Sequence, residues 1–197
     1  MSSKRSPLTS RPLDAFYFGF FILHAAIALL IDLQYLYPQH LLPDALKRVP
    51  QFYIDISHDP LIMGAQGLFG DPWRYAWFNA LTICLEGFVQ IPLDILAAIG
   101  LWKGSKTTWI LLVIYGASQA TTLIPCFATI LAVPSAPEGV PSSFGMQNAT
   151  LTEWQRFIIG NYAPFFFIPL FMAIDGSYRL FKLAGAADAG MGDKKTE

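Results

Sequence analysis

Residues 77–102 read WFNALTICLEGFVQIPLDILAAIGLW, 26 residues in which the only charged side chains are Glu86 and Asp94. A helix rises about 1.5 Å per residue, so such a run exceeds the roughly 30 Å hydrocarbon core of a bilayer. It predicts a membrane-spanning helix, and three more runs resemble it. The first covers Ala15 to Leu36, the third Thr108 to about Val133, and the fourth Phe157 to Phe181. The chain has 197 residues, 54% of them hydrophobic and only 14% charged, a composition displaced from soluble domains toward lipid-embedded ones. The fold class expected is therefore all-α: a polytopic membrane protein built as a four-transmembrane-helix bundle with kinked helices. Pro92, Pro125, Pro164 and Pro169 interrupt the spans, each removing a backbone donor and freeing a carbonyl that lipid cannot satisfy.

The connections follow from composition. Lys103-Gly104-Ser105-Lys106 is short enough only for a tight reversal, and 134–150, rich in Pro, Ser and Gly, reads as an exposed loop. Residues 1–11 form an N-terminal segment, 12–182 the four-span domain, and 183–197 a polar tail expected to be disordered. Lys4, Arg5 and Arg11, the Lys103 and Lys106 turn, and Arg179, Lys182, Lys194 and Lys195 all fall on one side. That places both termini in the cytoplasm. Asn148-Ala149-Thr150 matches the N-glycosylation acceptor pattern in a loop on the opposite side. Lys194-Lys195-Thr196-Glu197 resembles a dilysine retrieval signal read by coat machinery, which predicts the endoplasmic reticulum.

Several function classes are excluded. A net charge of −1 with basic residues scattered at span ends supplies no field for nucleic acid. Cys84 and Cys126 lie inside apolar runs with no metal-ligand spacing, so no disulfide, metal or cofactor is expected.

Polar groups inside the spans carry the functional signal, because an ionisable side chain in mid-membrane costs about 2.5–3.5 kcal/mol on insertion scales and normally faces the bundle interior. Asp32, late in the first span, and Glu86, early in the second, reach similar depth on antiparallel helices. Two carboxyls in one dry pocket cannot both ionise cheaply, so they are expected to share one proton and to suit a ligand with a basic nitrogen. The alternative is that each satisfies a neighbour such as Gln34, Gln90 or Gln119, or that Asp32 snorkels into the lumenal interface. Gln90 and Asp94 continue a polar stripe from Glu86 at helical spacing. His24, two turns before Asp32, either extends the lining or packs. Thr121, Thr122 and Asn161 either cap freed carbonyls or line the pocket.

Asp32-Leu33-Gln34, Asp59-Pro60-Leu61, Glu86 with Gln90 and Pro92, Thr121-Thr122-Leu123-Ile124-Pro125 and Tyr162-Ala163-Pro164 occur in this order. Together they resemble the EXPERA-domain family, in its sigma-2 receptor subfamily and near its fungal-type members, a family that includes emopamil-binding sterol isomerases. The resemblance implies an intramembrane pocket that binds sterols or amphiphilic amines among membrane lipids, with ligand positions at Asp32, Glu86, His24, Gln90, Thr122 and Tyr162. It implies that Asp59 orders the first loop over the pocket mouth, and that the protein can be a homodimer. The function implied is a non-enzymatic one in lipid homeostasis or protein handling, with no catalytic residue. Two alternatives stand beside it: a sterol Δ8-Δ7 isomerase, and a structural or chaperone-like protein aiding mitochondrial precursors. The isomerases carry a glutamate four residues after a histidine, and here Ala28 stands at that spacing from His24, which argues against the first alternative. Asp94 departs from the apolar sigma-2 pattern.

Overall fold

The computed structural model describes residues 6–68, 72–132 and 153–193. Lys4, Arg5, the 134–150 loop with Asn148, and Lys194 and Lys195 lie outside the described residues. Four helices are long and apolar enough to cross a membrane: Pro12–Asp32, Trp73–Trp102, Thr108–Ala132 and Glu153–Ala189. The chain is an all-α, multi-pass membrane protein.

Helix α1 (Pro12–Ile27) starts with proline, which lacks the N–H that a first turn leaves unpaired, and carries Asp14 at its positive end. Its last turn widens over Ala28–Asp32, where Leu33 N–H donates to Ala28 O at 2.9 Å, a bond to the fifth preceding residue. A 3₁₀ turn over Gln34–Leu36 then breaks away, so the first span ends at Asp32 rather than at Leu36. Gln34 fixes that break by donating from Nε2 to Leu30 O and Leu46 O.

Helices α2 (Asp44–Ser57) and α3 (Pro60–Ala65) form the connection to the second span. His58, with φ of 48°, ends α2 in the left-handed conformation, and Asp59-Pro60 starts α3 at once. The second span has three parts: α4 (Ala76–Ala80), a π-helical run Leu81–Gln90, and α5 (Ile91–Trp102). Pro92 follows the wide run directly. Wider winding is an ordinary answer to a proline ring that would collide with the carbonyl four residues back.

Helices α6 (Thr108–Ala132) and α7 (Glu153–Asp193) pack along much of their length, with Pro125, Pro164 and Pro169 inside them. Their close approach needs Gly116, where an added Cβ would strike the Pro169 carbonyl and Ala173, and Gly176 against the Trp109 carbonyl. Helix α7 continues through the described part of the expected disordered tail, to Asp193. Ala184, Ala186, Ala187 and Ala189 favour helix, and extending an existing helix requires no new nucleus, although residues 183–189 are exposed and gain no packing.

Among the described residues the interior has a small apolar cluster of Ala28, Leu33 and Ile91 and two large ones. One, toward the Lys103 turn, centres on Tyr17, Phe21, Leu101, Leu112 and Met172. The other, under α3, centres on Leu61, Ile130, Trp154 and Ile158. Phe16, Phe88 and Phe181 point outward, more than half exposed, as lipid contact allows and water would not. Ion pairs brace the Lys103 end: Arg179 meets Asp14 at 2.7 Å and Asp175 at 2.8 Å, while Arg11 meets Asp14 at 2.7 Å and donates to Leu101 O. Paired charges of this kind satisfy one another where the spans leave the membrane.

Candidate functional site

Between the two clusters lies a cavity of about 340 Å³. His24, Asp32, Glu86, Gln90, Thr122 and Tyr162 all line it. The rest of the wall is largely apolar, including Ile27, Phe78, Leu81, Leu123 and Phe165, and among the described residues no lysine or arginine lines it. The size and the few convergent polar groups match small-molecule sites in general.

Both acids sit on widened helical turns, Asp32 at the end of Ala28–Asp32 and Glu86 in the middle of Leu81–Gln90. A π turn shifts side chains off the regular helical face, and such turns frequently occur at functional sites. The two carboxyls line the same cavity and lie close enough to act on each other. Two acids this close in a largely apolar wall cannot both ionise cheaply, which favours one proton shared by the pair. The competing expectation, that each acid satisfies a glutamine, does not describe this arrangement: Gln34 is engaged with Leu30 and Leu46 carbonyls and Gln90 with the Ser118 hydroxyl at 3.2 Å. Gln119 Oε1 is buried at the cavity with no protein partner.

Asp94 lies one face-turn beyond Gln90 and is 1% exposed. Its Oδ2 is 2.7 Å from His24 Nδ1, and His24 Nε2 is 3.9 Å from Glu86 Oε1. The four groups therefore run as a chain, Asp94 to His24 to Glu86 to Asp32. Phe20 stacks on the imidazole at 6.2 Å between centroids, while Tyr115 and Phe165 close on it from other sides at 5.6 and 5.9 Å. His24 thus both packs and lines the cavity. The partnership with Asp94 was not legible in the sequence, where the two residues are 70 positions apart. The one signal was an acid continuing the polar stripe of the second span.

Asp59 caps α3, accepting from Leu61 N–H at 2.9 Å and Ile62 N–H at 3.4 Å. It also accepts from the Tyr53 and Tyr162 hydroxyls, each at 2.8 Å. One buried carboxyl thereby joins α2, α3 and α7 beside the cavity. Trp154 Nε1 adds a second tie by donating to Ser57 O at 3.0 Å. Burial pushes the Asp59 carboxyl above its ordinary value, and its four donors pull it partly back. Burial and the Asp59 charge push the Tyr53 hydroxyl up, so it stays a donor. Because Tyr162 donates its hydroxyl proton to Asp59, it offers the cavity no donor of its own. Thr122 is engaged likewise, donating to Gln119 O at 2.9 Å, and Thr121 donates to Ala117 O at 2.8 Å. These threonines satisfy carbonyls of their own helix. Among the described residues no cluster of histidine, cysteine and acids could hold a metal.

Residues 45–176 match the family described as EBP, EXPERA (EXPanded EBP superfamily). That range contains Glu86, Asp94, Thr122 and Tyr162, and begins after His24 and Asp32. The chain is similar to "Efficient mitochondria targeting-associated protein 19" of Schizosaccharomyces pombe, 28% identical over 93% of this chain and 85% of that protein. It is also similar to "Sigma intracellular receptor 2" of Homo sapiens, 28% identical over 86% of this chain and 89% of that protein. The same-named protein of Xenopus tropicalis is 28% identical over 84% and 88%.

Proposed function

We propose, from the premise that this chain belongs to the EXPERA (expanded EBP) superfamily, that it binds one amphiphile, a sterol or an amphiphilic amine, in the intramembrane cavity without converting it. The observation that carries this reading is the placing of Asp32 and Glu86 together in one largely apolar cavity. Two carboxyls so placed favour holding one negative charge and one proton between them, so the pair accepts an ammonium or exchanges hydrogen bonds with a hydroxyl, and the apolar wall takes the ligand's hydrocarbon. Occupancy then regulates lipid homeostasis or protein handling from the endoplasmic reticulum, where the dilysine-like end retrieves the protein through coat machinery with both termini cytoplasmic. The likeness to a protein named for efficient mitochondria targeting supports a role in precursor handling.

A second reading, sterol Δ8-Δ7 isomerisation, is favoured by the His24–Asp94 contact, which supplies from another helix the acid that Ala28 does not. A double-bond shift needs a proton donor and a base near one ligand, and the chain from Asp94 to Asp32 contains groups of both kinds. The two readings separate in one experiment on the full chain in lipid nanodiscs, measuring saturable binding of a radiolabelled Δ8-sterol and then its product by gas chromatography. Saturable binding with unchanged sterol is the expected result. Conversion to the Δ7 isomer would replace the first reading with the second, and unsaturable uptake would overturn the second reading and the sterol arm of the first.

A further inference from the structure

We propose that Asp94 selects the headgroup the cavity takes: by accepting the Nδ1 proton of His24 it leaves Nε2 a lone-pair acceptor beside Glu86, and these two acceptors together fit an amphiphile whose nitrogen carries at least two N–H bonds. The proposal rests on the amphiphile-binding reading above.

The Nδ1 to Oδ2 contact of 2.7 Å is short, and the proton on one ring nitrogen is set by the bond the other makes. Phe20, Tyr115 and Phe165 hold the ring from turning. Across the cavity edge, the 3.9 Å between Nε2 and Glu86 Oε1 is too long for a direct hydrogen bond. A ligand nitrogen about 2.8 Å from each would bridge them, with its two bonds at roughly 90°, close enough to the angle between two N–H bonds of an ammonium for both to form. Glu86 Oε1, the carboxyl oxygen that faces the imidazole, is the second acceptor. Among the described residues no lysine or arginine lines the cavity to compete for these acceptors. Protonated primary and secondary amines carry three and two N–H bonds, tertiary amines one, quaternary ammonium none. A sterol hydroxyl donates only once and occupies one acceptor of the two.

The test uses the full chain in nanodiscs and four probes of one chain length: dodecylamine and its N-methyl, N,N-dimethyl and N,N,N-trimethyl derivatives, competed against a bound fluorescent amine. Methylation makes the probe more apolar, so without the double acceptor affinity rises or stays level along the series. The expected result is instead a loss of about tenfold or more between the secondary and tertiary amine, the size of one hydrogen bond to a charged group. In Asp94→Leu that step disappears while primary-amine binding through the acid pair persists. Nitrogen-15 NMR of the wild-type protein, with His24 assigned by its loss in His24→Gln, should show Nδ1 protonated and Nε2 bare. A flat wild-type series, a step that survives Asp94→Leu, or a protonated Nε2 overturns the role of Asp94 and leaves the binding reading standing. No saturable binding of any amine overturns this proposal and the amine arm of that reading. If Asp94→Leu does not fold, the wild-type series and the NMR decide alone.

Discussion

Asp59, outside the spans, accepts from two backbone amides and two tyrosine hydroxyls while fully buried. Its carboxyl binds a proton more tightly folded than unfolded, so between the ordinary value of 3.8 and its raised folded value the folded state holds the extra proton. Stability should therefore fall as pH rises across that window, and Asp59→Asn should flatten this part of the profile in a detergent melting series. Tyr162→Phe removes one donor to a buried carboxyl and should cost about 1.5–3 kcal/mol, read as a lowered melting temperature with the cavity wall kept. An unchanged melt would show that the α7 tie contributes nothing. At this scale the sequence displayed Asp32, Glu86 and the polar stripe, because an acid in an apolar run is conspicuous. It did not display the His24–Asp94 contact or the engagement of the Tyr162 and Thr122 hydroxyls, because those depend on which faces of separate helices meet.

The helices explain how the acids come to face each other. Asp32 and Glu86 both lie on widened turns, which hydropathy does not reveal, since a π turn has the same composition as an α turn. The spans themselves were legible because lipid forces about 20 apolar residues into each crossing. Their ends were less so: the first stops at Asp32, where a 3₁₀ turn begins, and the fourth runs on into an alanine-rich segment that apolarity alone marks as tail. The contact of α6 with α7 depends on glycine in a way that can be measured. Gly116→Ala places a Cβ against the Pro169 carbonyl and Ala173, and overpacking of this kind costs about 1–3 kcal/mol. Gly160→Ala, which meets nothing within 4 Å, is the matched control. The expected outcome is a clear drop in melting temperature for Gly116→Ala only. Equal melts would mean that the two helices are not held at this distance.

Across the whole molecule, an even number of spans puts both chain ends on one side. Protease treatment of sealed microsomes should remove tags from both termini and spare the 134–150 loop until detergent is added. Protection of one terminus would require an odd number of crossings. The cavity shares Tyr53 and Tyr162 with the Asp59 tie at one end, whereas the ion pairs of Arg11, Asp14, Asp175 and Arg179 at the other involve none of its lining residues. Asp32 and Glu86 belong to neither the Asp59 tie nor these ion pairs, so the acid pair can be altered without removing either. The central claim is that Asp32 and Glu86 together form the polar end of an amphiphile site, and it is tested by competition binding of a cationic amphiphile and a neutral sterol to Asp32→Asn and Glu86→Gln in nanodiscs. An ammonium deprived of its carboxylate in a buried site loses an interaction worth about 3–5 kcal/mol, whereas a sterol hydroxyl still finds a hydrogen bond at the amide. Each substitution should therefore weaken the amine by about a hundredfold or more and the sterol by less than about tenfold. Undiminished amine binding in both variants would contradict the account.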